Sequence, residues 1–130
     1  MIITLDMGSS IPIYVQLRNQ IVTGIGKGEL KAGEHLPTVR QMAIDAGVNT
    51  MTVNKTYQIL KAEGFIETDR RRGAVVCAVQ KPEAVYQEKL EAELELLAAE
   101  ACLKGIGREA FLEICERTLA SMQPGETAAV

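Results

Sequence analysis

The sequence predicts a mainly α chain of the α+β class. A helix, a helix–turn–helix and a β-hairpin are expected over residues 1–80, followed by an antiparallel two-helix hairpin over residues 81–130. Three observations predict this. Apolar residues recur at spacings of three and four through several segments, as amphipathic helices require. The period changes to two on both sides of Arg70-Arg71-Arg72-Gly73, as paired strands require. Charge divides near Gln80-Lys81-Pro82: residues 1–82 hold ten Lys and Arg against seven Asp and Glu, a net of +3, while residues 83–130 hold four against ten, a net of −6.

The first helix opens at Pro12, since a proline in the first helical turn gives up an N–H that has no partner there. Tyr14, Leu17, Ile21 and Ile25 make its apolar stripe, and Gly24, Gly26 and Gly28 weaken and end it. In His35-Leu36-Pro37 the proline pushes Leu36 into an extended conformation, so a very short strand is expected. Thr38-Val-Arg-Gln41 reads as a capping box opening a second helix with Met42, Ala43 and Ala46, which Gly47 ends in a left-handed cap. Asn49 caps a third helix running from Thr50 to about Glu63, with Val53, Tyr57 and Leu60 at helical spacing and Gly64 as its stop. Two helices joined through Gly47-Val-Asn49 form a helix–turn–helix.

Phe65–Asp69 and Ala74–Val79 then read as a hairpin whose tip carries three arginines, and together with the helices it makes a winged helix. After Pro82, the residues Tyr86, Leu90, Leu94, Leu97 and Ala101 form a coiled-coil-like seam. Gly105-Ile-Gly107 breaks that helix. A second amphipathic helix carries Phe111, Ile114, Cys115, Thr118, Leu119 and Met122, and the tail is expected to fray after about residue 123. A helical hairpin this small cannot bury both of its faces alone, so residues 81–130 are expected to pair with an identical copy as a dimerisation segment. Its seam would be Tyr86, Leu90, Leu94, Leu97, Ala101, Phe111, Ile114 and Leu119.

A length of 130 residues excludes a large enzyme with separate cofactor and substrate domains, and 47% hydrophobic with 24% charged residues is the balance of a chain that folds. No apolar run approaches the roughly twenty residues of a membrane span. Met1–Asp6 has neither a basic leader nor a small-residue cleavage site, so the expected location is the cytoplasm. The total charge of −3 argues against a nucleic-acid partner, but its distribution reverses that inference, because the +3 half can meet an anion. The glutamates of the other half are expected to form a solvated face, with repulsion from DNA orienting the basic half towards it. Cys77, Cys102 and Cys115 lack any close Cys-x-x-Cys pair and His35 is the one histidine. No metal, no cofactor and no nucleophile–base–acid set is therefore expected, and the cysteines read as buried free thiols.

Residues 12–79 also carry a set of motifs at consistent spacing. These are Pro12-Ile-Tyr14 with Gln16, Gly28-x-Leu30-x-x-Gly33-x-x-Leu36-Pro37, Thr38-Val-Arg40-Gln-Met-Ala43, Gly47-Val-Asn49, Thr52-Val53, Tyr57, Leu60-Lys-Ala-Glu-Gly-Phe-Ile66 and Arg72-Gly73. In them the chain resembles the DNA-binding domain of the GntR family of bacterial transcription regulators. The short C-terminal segment and Asn49-x-x-Thr-Val-Asn-Lys-x-Tyr57 resemble the YtrA-type branch of that family. The resemblance implies a cytoplasmic dimeric repressor of its own or a neighbouring operon, often one encoding a transporter. The chain departs from common family patterns at Thr50-Met51, at Asn54, and at Arg71-Arg72-Gly73 in the wing.

A recognition helix enters the major groove through its N-terminal residues while the preceding helix crosses the phosphates. On that geometry Asn49, Thr50, Met51, Thr52 and Asn54 stand nearest the bases, with Asn suited to adenine and Thr or Met to a thymine methyl. Lys55 suits phosphate, Thr38 caps a helix whose N-terminal amides can face one, and Arg40 matches a family position that contacts DNA. Arg70, Arg71, Arg72 and Gly73 form a basic wing for the minor groove or phosphates. Thr52 has two readings, a DNA contact or a structural role in which it bonds back to the Val48 carbonyl or supports the helix start. Tyr57 reads as a core residue. The expected partners are a pseudo-palindromic operator in double-stranded DNA and a second copy of the chain, with no membrane. The sequence identifies no small-molecule effector. The alternative is a winged-helix protein-interaction module without specific DNA binding. An enzymatic reading fails because the approximately fifty residues after the linker cannot hold a catalytic module.

Overall fold

The computed structural model of the chain describes residues 2–124. They fall into two units: residues up to Val79 together with Gln123 and Pro124, and Gln80–Met122. Gln123 groups with the first unit, where its N–H donates to the Gly26 carbonyl at 2.8 Å. The expected fraying of the tail falls, beyond Pro124, outside the described residues.

The first unit contains α1 (Ile13–Gly26), α2 (Val39–Ala46), α3 (Thr50–Ala62), β1 (Ile66–Asp69) and β2 (Gly73–Val76). The Pro12 carbonyl accepts the N–H groups of Val15 and Gln16 and so begins α1. Leu17 and Ile21 of its stripe are fully buried against Leu36, Met42, Val53, Leu60, Ile66 and Val76. Each such side chain removed from water contributes about 1.5–3 kcal/mol. The N-terminal arm lies along α1 through two carboxamides one turn apart. Gln20 accepts the Thr4 N–H and donates to the Thr4 carbonyl, while Gln16 does the same for Asp6, so Ile3 and Leu5 pack on the core.

The capping box at α2 is half formed. Thr38 Oγ1 accepts the Gln41 N–H at 3.1 Å, but the Gln41 carboxamide turns forward to Asp45 Oδ1 at 2.7 Å instead of back to the cap. Gly47 ends α2 at φ 71°, and the Val48 N–H returns to the Ala43 carbonyl. Asn49 then caps α3, its Oδ1 accepting the Thr52 N–H at 2.8 Å and the Thr52 hydroxyl at 3.0 Å. At the far end the Phe65 N–H is taken by the Leu60 carbonyl, so β1 begins at Ile66, one residue later than the sequence suggests.

The hairpin is antiparallel, pairing Ile66 with Val76 and Asp69 with Gly73. The very short strand at His35 is a bridge to Val75, extended by the Leu36 N–H on the Ala74 carbonyl. Asp69 organises the tip: its Oδ1 accepts the N–H groups of Arg71 and Arg72 at 2.8 and 2.5 Å, and its Oδ2 accepts Arg72 Nε at 2.9 Å. Gly73 is the first residue of β2, and its φ of 70° turns the chain back into the strand.

The second unit contains α4 (Ala84–Leu103) and α5 (Arg108–Ala120), which contact one another. Gly105 at φ 88° and the Ile106 N–H on the Ala101 carbonyl end α4. Met122 lies past the end of α5. Neither helix has a buried residue. The cysteines differ from expectation accordingly: Cys102 is exposed on α4, and Cys77 and Cys115 are half-buried.

Two predictions follow from this packing. The Tyr57 hydroxyl donates to the Pro37 carbonyl at 2.7 Å, and burial, aided by Asp45, pushes its pKa above the ordinary tyrosine value, so it stays a donor. Tyr57→Phe should therefore cost about 1 kcal/mol in urea unfolding with an unchanged m-value. The Asp69 carboxyl is held below the usual carboxylate range, first by the Arg72 N–H, then by the Arg72 guanidinium, with the Arg71 N–H adding. A depressed carboxylate contributes order that is complete above its unfolded pKa and is lost as the pH falls through its folded one. In an NMR titration the Arg71 and Arg72 amides should move together with Asp69 on acidification; amides that ignore it would remove Asp69 from the tip.

Candidate nucleic-acid interface

The inner face of α3 is buried at Val53, Thr56, Tyr57 and Leu60, which leaves Thr50, Met51, Asn54 and Lys55 on its outer face. Met51 is 78% exposed at the first turn. Asn49 is exposed but its carboxamide oxygen is occupied by the cap, leaving its Nδ2 to face outward chemistry. Thr52 is half-buried and its hydroxyl donates to Asn49, so the support of the helix start is realised, through Asn49 and not through the Val48 carbonyl. Tyr57 is a core residue as read.

The cations of this unit differ in how they are held. Arg18 is paired with Glu63 at 2.9 Å and lies over the Phe65 ring, which ties α1 to the end of α3. Lys55 Nζ sits 3.8 Å from the centre of the Tyr14 ring, a contact of about 0.5–1 kcal/mol that orients the ammonium without removing its charge. Arg72 is paired with Asp69. Arg40, in the first turn of α2, and Arg70 and Arg71 at the hairpin tip have exposed side chains with no hydrogen bond or ion pair among the described residues. Gly73 has open space on the side where a Cβ would stand. Thr38 is exposed, with its hydroxyl in the α2 cap.

Two features escaped the sequence reading. Ile44, 69% exposed, lies one turn beyond Arg40 on α2. Its signal was its being out of phase with the stripe of Met42, Ala43 and Ala46, as Met51 is out of phase with Val53 and Leu60. On α4 a second apolar row, Val85, Ala92, Leu96, Ala99 and Leu103, runs beside the expected seam, interrupted at Lys89. Within the second unit the seam residues are also uncovered: Leu90 is 47% and Leu94 44% exposed, Tyr86, Leu97, Ile114 and Leu119 more widely so or comparably, while Ala101 and Phe111 are half-buried. The described residues hold no cluster of His, Cys, Asp or Glu able to bind a metal, and no helix among them is long and apolar enough to cross a membrane.

An exposed N-terminal turn on the second helix of a helix–turn–helix, flanked by an arginine-tipped hairpin, is the surface a winged helix offers to a duplex. Comparison with known proteins agrees. Residues 13–76 match the family described as bacterial regulatory proteins, gntR family. The chain is 37% identical to the HTH-type transcriptional regulator YhcF of Bacillus subtilis over 108 residues, 81% of this chain and 88% of that protein. It is 33% identical to the HTH-type transcriptional repressor YtrA of the same organism over 126 residues, 95% and 97% of the two chains. Among solved structures it is similar to YtrA from Sulfolobus acidocaldarius, a GntR-family transcription factor, at 39% identity and a TM-score of 0.65, covering 76% of this chain and 99% of that one. With the motifs, the winged helix and near full-length relatives in accord, the chain belongs to the GntR family of DNA-binding transcriptional regulators, not enzymes, and is YtrA-like.

Proposed function

We propose that the protein is a dimeric repressor that binds a pseudo-palindromic operator, one winged helix to each half-site, and controls its own or a neighbouring transporter operon from the cytoplasm, where that DNA lies. The observation that carries the reading is the outer face of α3: Thr50, Met51 and Asn54 stand exposed at its start while the opposite face is locked in the core. With α3 in the major groove, Asn54 and the free amide of Asn49 can pair with adenine, and Met51 and Thr50 can cover thymine methyls. Arg40, Lys55 and the N-terminal amides of α2 beside Thr38 take phosphates, and the basic hairpin tip with Gly73 lies against the minor groove or its phosphates.

Dimerisation is supported by the second unit itself. Helices without a single buried residue expose two apolar rows on α4 and the face of α5 around Phe111, Ile114 and Leu119. Burying such a surface against a second copy is the ordinary solution for a helical hairpin. The repressor role is supported by the name that YtrA of Bacillus subtilis carries.

Fluorescence anisotropy with DNA from upstream of the protein's own gene tests the reading. Binding should resist nonspecific competitor and weaken steeply with salt, and Arg40→Ala should lower affinity by roughly 1–3 kcal/mol while unfolding as the parent does. Binding erased equally by any competitor DNA would defeat it. Leu90→Glu and Leu94→Glu, both on an uncovered face, should yield monomers in sedimentation with an intact winged helix, and operator affinity about tenfold or more weaker.

A further inference from the structure

The three arginines of the wing are not equivalent, and the difference lies in a carboxylate. Asp69 stands at the end of β1, and its Oδ1 receives two consecutive main-chain N–H groups, those of Arg71 and Arg72. Its Oδ2 receives the Nε–H of Arg72. One side chain thus closes the turn and carries the counter-charge for one of its three cations. An exposed i,i+3 ion pair is worth little by itself. Here the acceptor does not have to be brought into place, because the two main-chain bonds already hold it, as Asp does at the first position of a turn. The guanidinium of Arg72 is drawn back along the hairpin, while Arg70 and Arg71 have no such partner among the described residues.

Resting on the DNA-binding reading above, we propose that Asp69 is a positioning residue of the wing: it sets the tip backbone and occupies Arg72, so that Arg70 and Arg71 make the cationic contacts to the duplex. An acidic residue on a DNA-facing loop ordinarily opposes binding by repulsion. The assignment therefore predicts an effect of opposite sign to simple charge counting. It also lowers the effective charge of the tip from three to two, which the salt dependence of binding reads directly.

The experiment is a set of salt titrations of operator binding by the full chain, with tip amides followed by NMR. Asp69→Ala removes a negative charge yet should weaken binding several-fold, with the Arg71 and Arg72 amides losing their protection and the thermal unfolding of the core unchanged. Asp69→Asn keeps an oxygen for the two N–H groups but releases Arg72, so affinity should be retained and the slope of log K against log salt should steepen by about one. Arg70→Ala and Arg71→Ala should each reduce the slope by about one. Arg72→Ala should leave the slope unchanged in the parent and reduce it by about one in the Asp69→Asn background. Equal slope losses from Arg72→Ala in both backgrounds, or unchanged or tighter binding by Asp69→Ala, overturns the assignment alone. A parent protein with no salt-dependent operator binding overturns the DNA reading and this assignment with it.

Discussion

The burial of one face of α3 is the constraint on which the candidate interface depends. Val53, Thr56, Tyr57 and Leu60 stand at i, i+3, i+4 and i+7 and pack towards α1, α2 and β1. Two of the four are polar, and both make main-chain hydrogen bonds at separate places: the Thr56 hydroxyl donates to the Tyr14 carbonyl at 3.1 Å and the Tyr57 hydroxyl to the Pro37 carbonyl. Apolar contacts alone tolerate some rotation of a helix about its axis. Two directional bonds, one to the start of α1 and one to the segment before α2, do not. A rotation by one residue, about 100°, would carry Thr52 or Asn54 towards the core, turn part of the buried set outward and break both bonds. The outward set of Thr50, Met51 and Asn54 is thus determined by what holds the inward set.

Local chemistry explains why so much of this was legible without coordinates. The glycine caps at Gly47 and Gly64, the Asn49 cap and the proline at α1 act within a few residues of themselves, so element order and type can be read from short windows. What was not legible depends on partners distant in sequence or on choices between near neighbours. Nothing in the spacing of Lys55 places it over Tyr14, forty-one positions earlier, since only the docking of α3 on α1 brings them together. Gln41 had two partners in reach, the Thr38 N–H as a donor to its carboxamide oxygen and Asp45 as an acceptor from its Nε2, and the pattern Thr-x-x-Gln does not distinguish them. Asp69 reads from sequence as the last residue of a strand, and three consecutive arginines read as three equal charges. The distinction between them arises because one carboxylate lies within reach of Arg72.

The same reasoning explains the contrast between the two units. In the first, apolar residues out of phase with the core, Met51 and Ile44, are few and stand near polar and basic groups. In the second, the apolar positions of α4 occupy two rows and none is buried. A helix apolar on more than one side is stable in water only within a larger assembly. The first row is legible from its steps of four, four, three and four, whereas the second is interrupted at Lys89 and does not read as a continuous stripe.

The charge distribution joins these features into one physical account. A net of +3 on the DNA-reading half is small for a protein that must compete for a polyanion, and two of its ten cations are already engaged within the fold. Arg18 is held by Glu63 and Arg72 by Asp69, while Lys55 is oriented by Tyr14. Diffuse attraction therefore contributes little per copy, and the glutamate-rich residues 83–130, with a net of −6, subtract from it at long range. What remains is placement: among the cations without an ion pair, Arg40 stands on a capped helix and Arg70 and Arg71 on a tip closed by Asp69. Preorganised groups lose less conformational entropy on binding than mobile ones. In the proposed dimer the second copy then raises affinity through effective concentration, without adding charge to either winged helix. A reader of this kind gains specificity from its weak net charge, because non-specific DNA binding is almost wholly electrostatic and is the first term to fall when net charge is small.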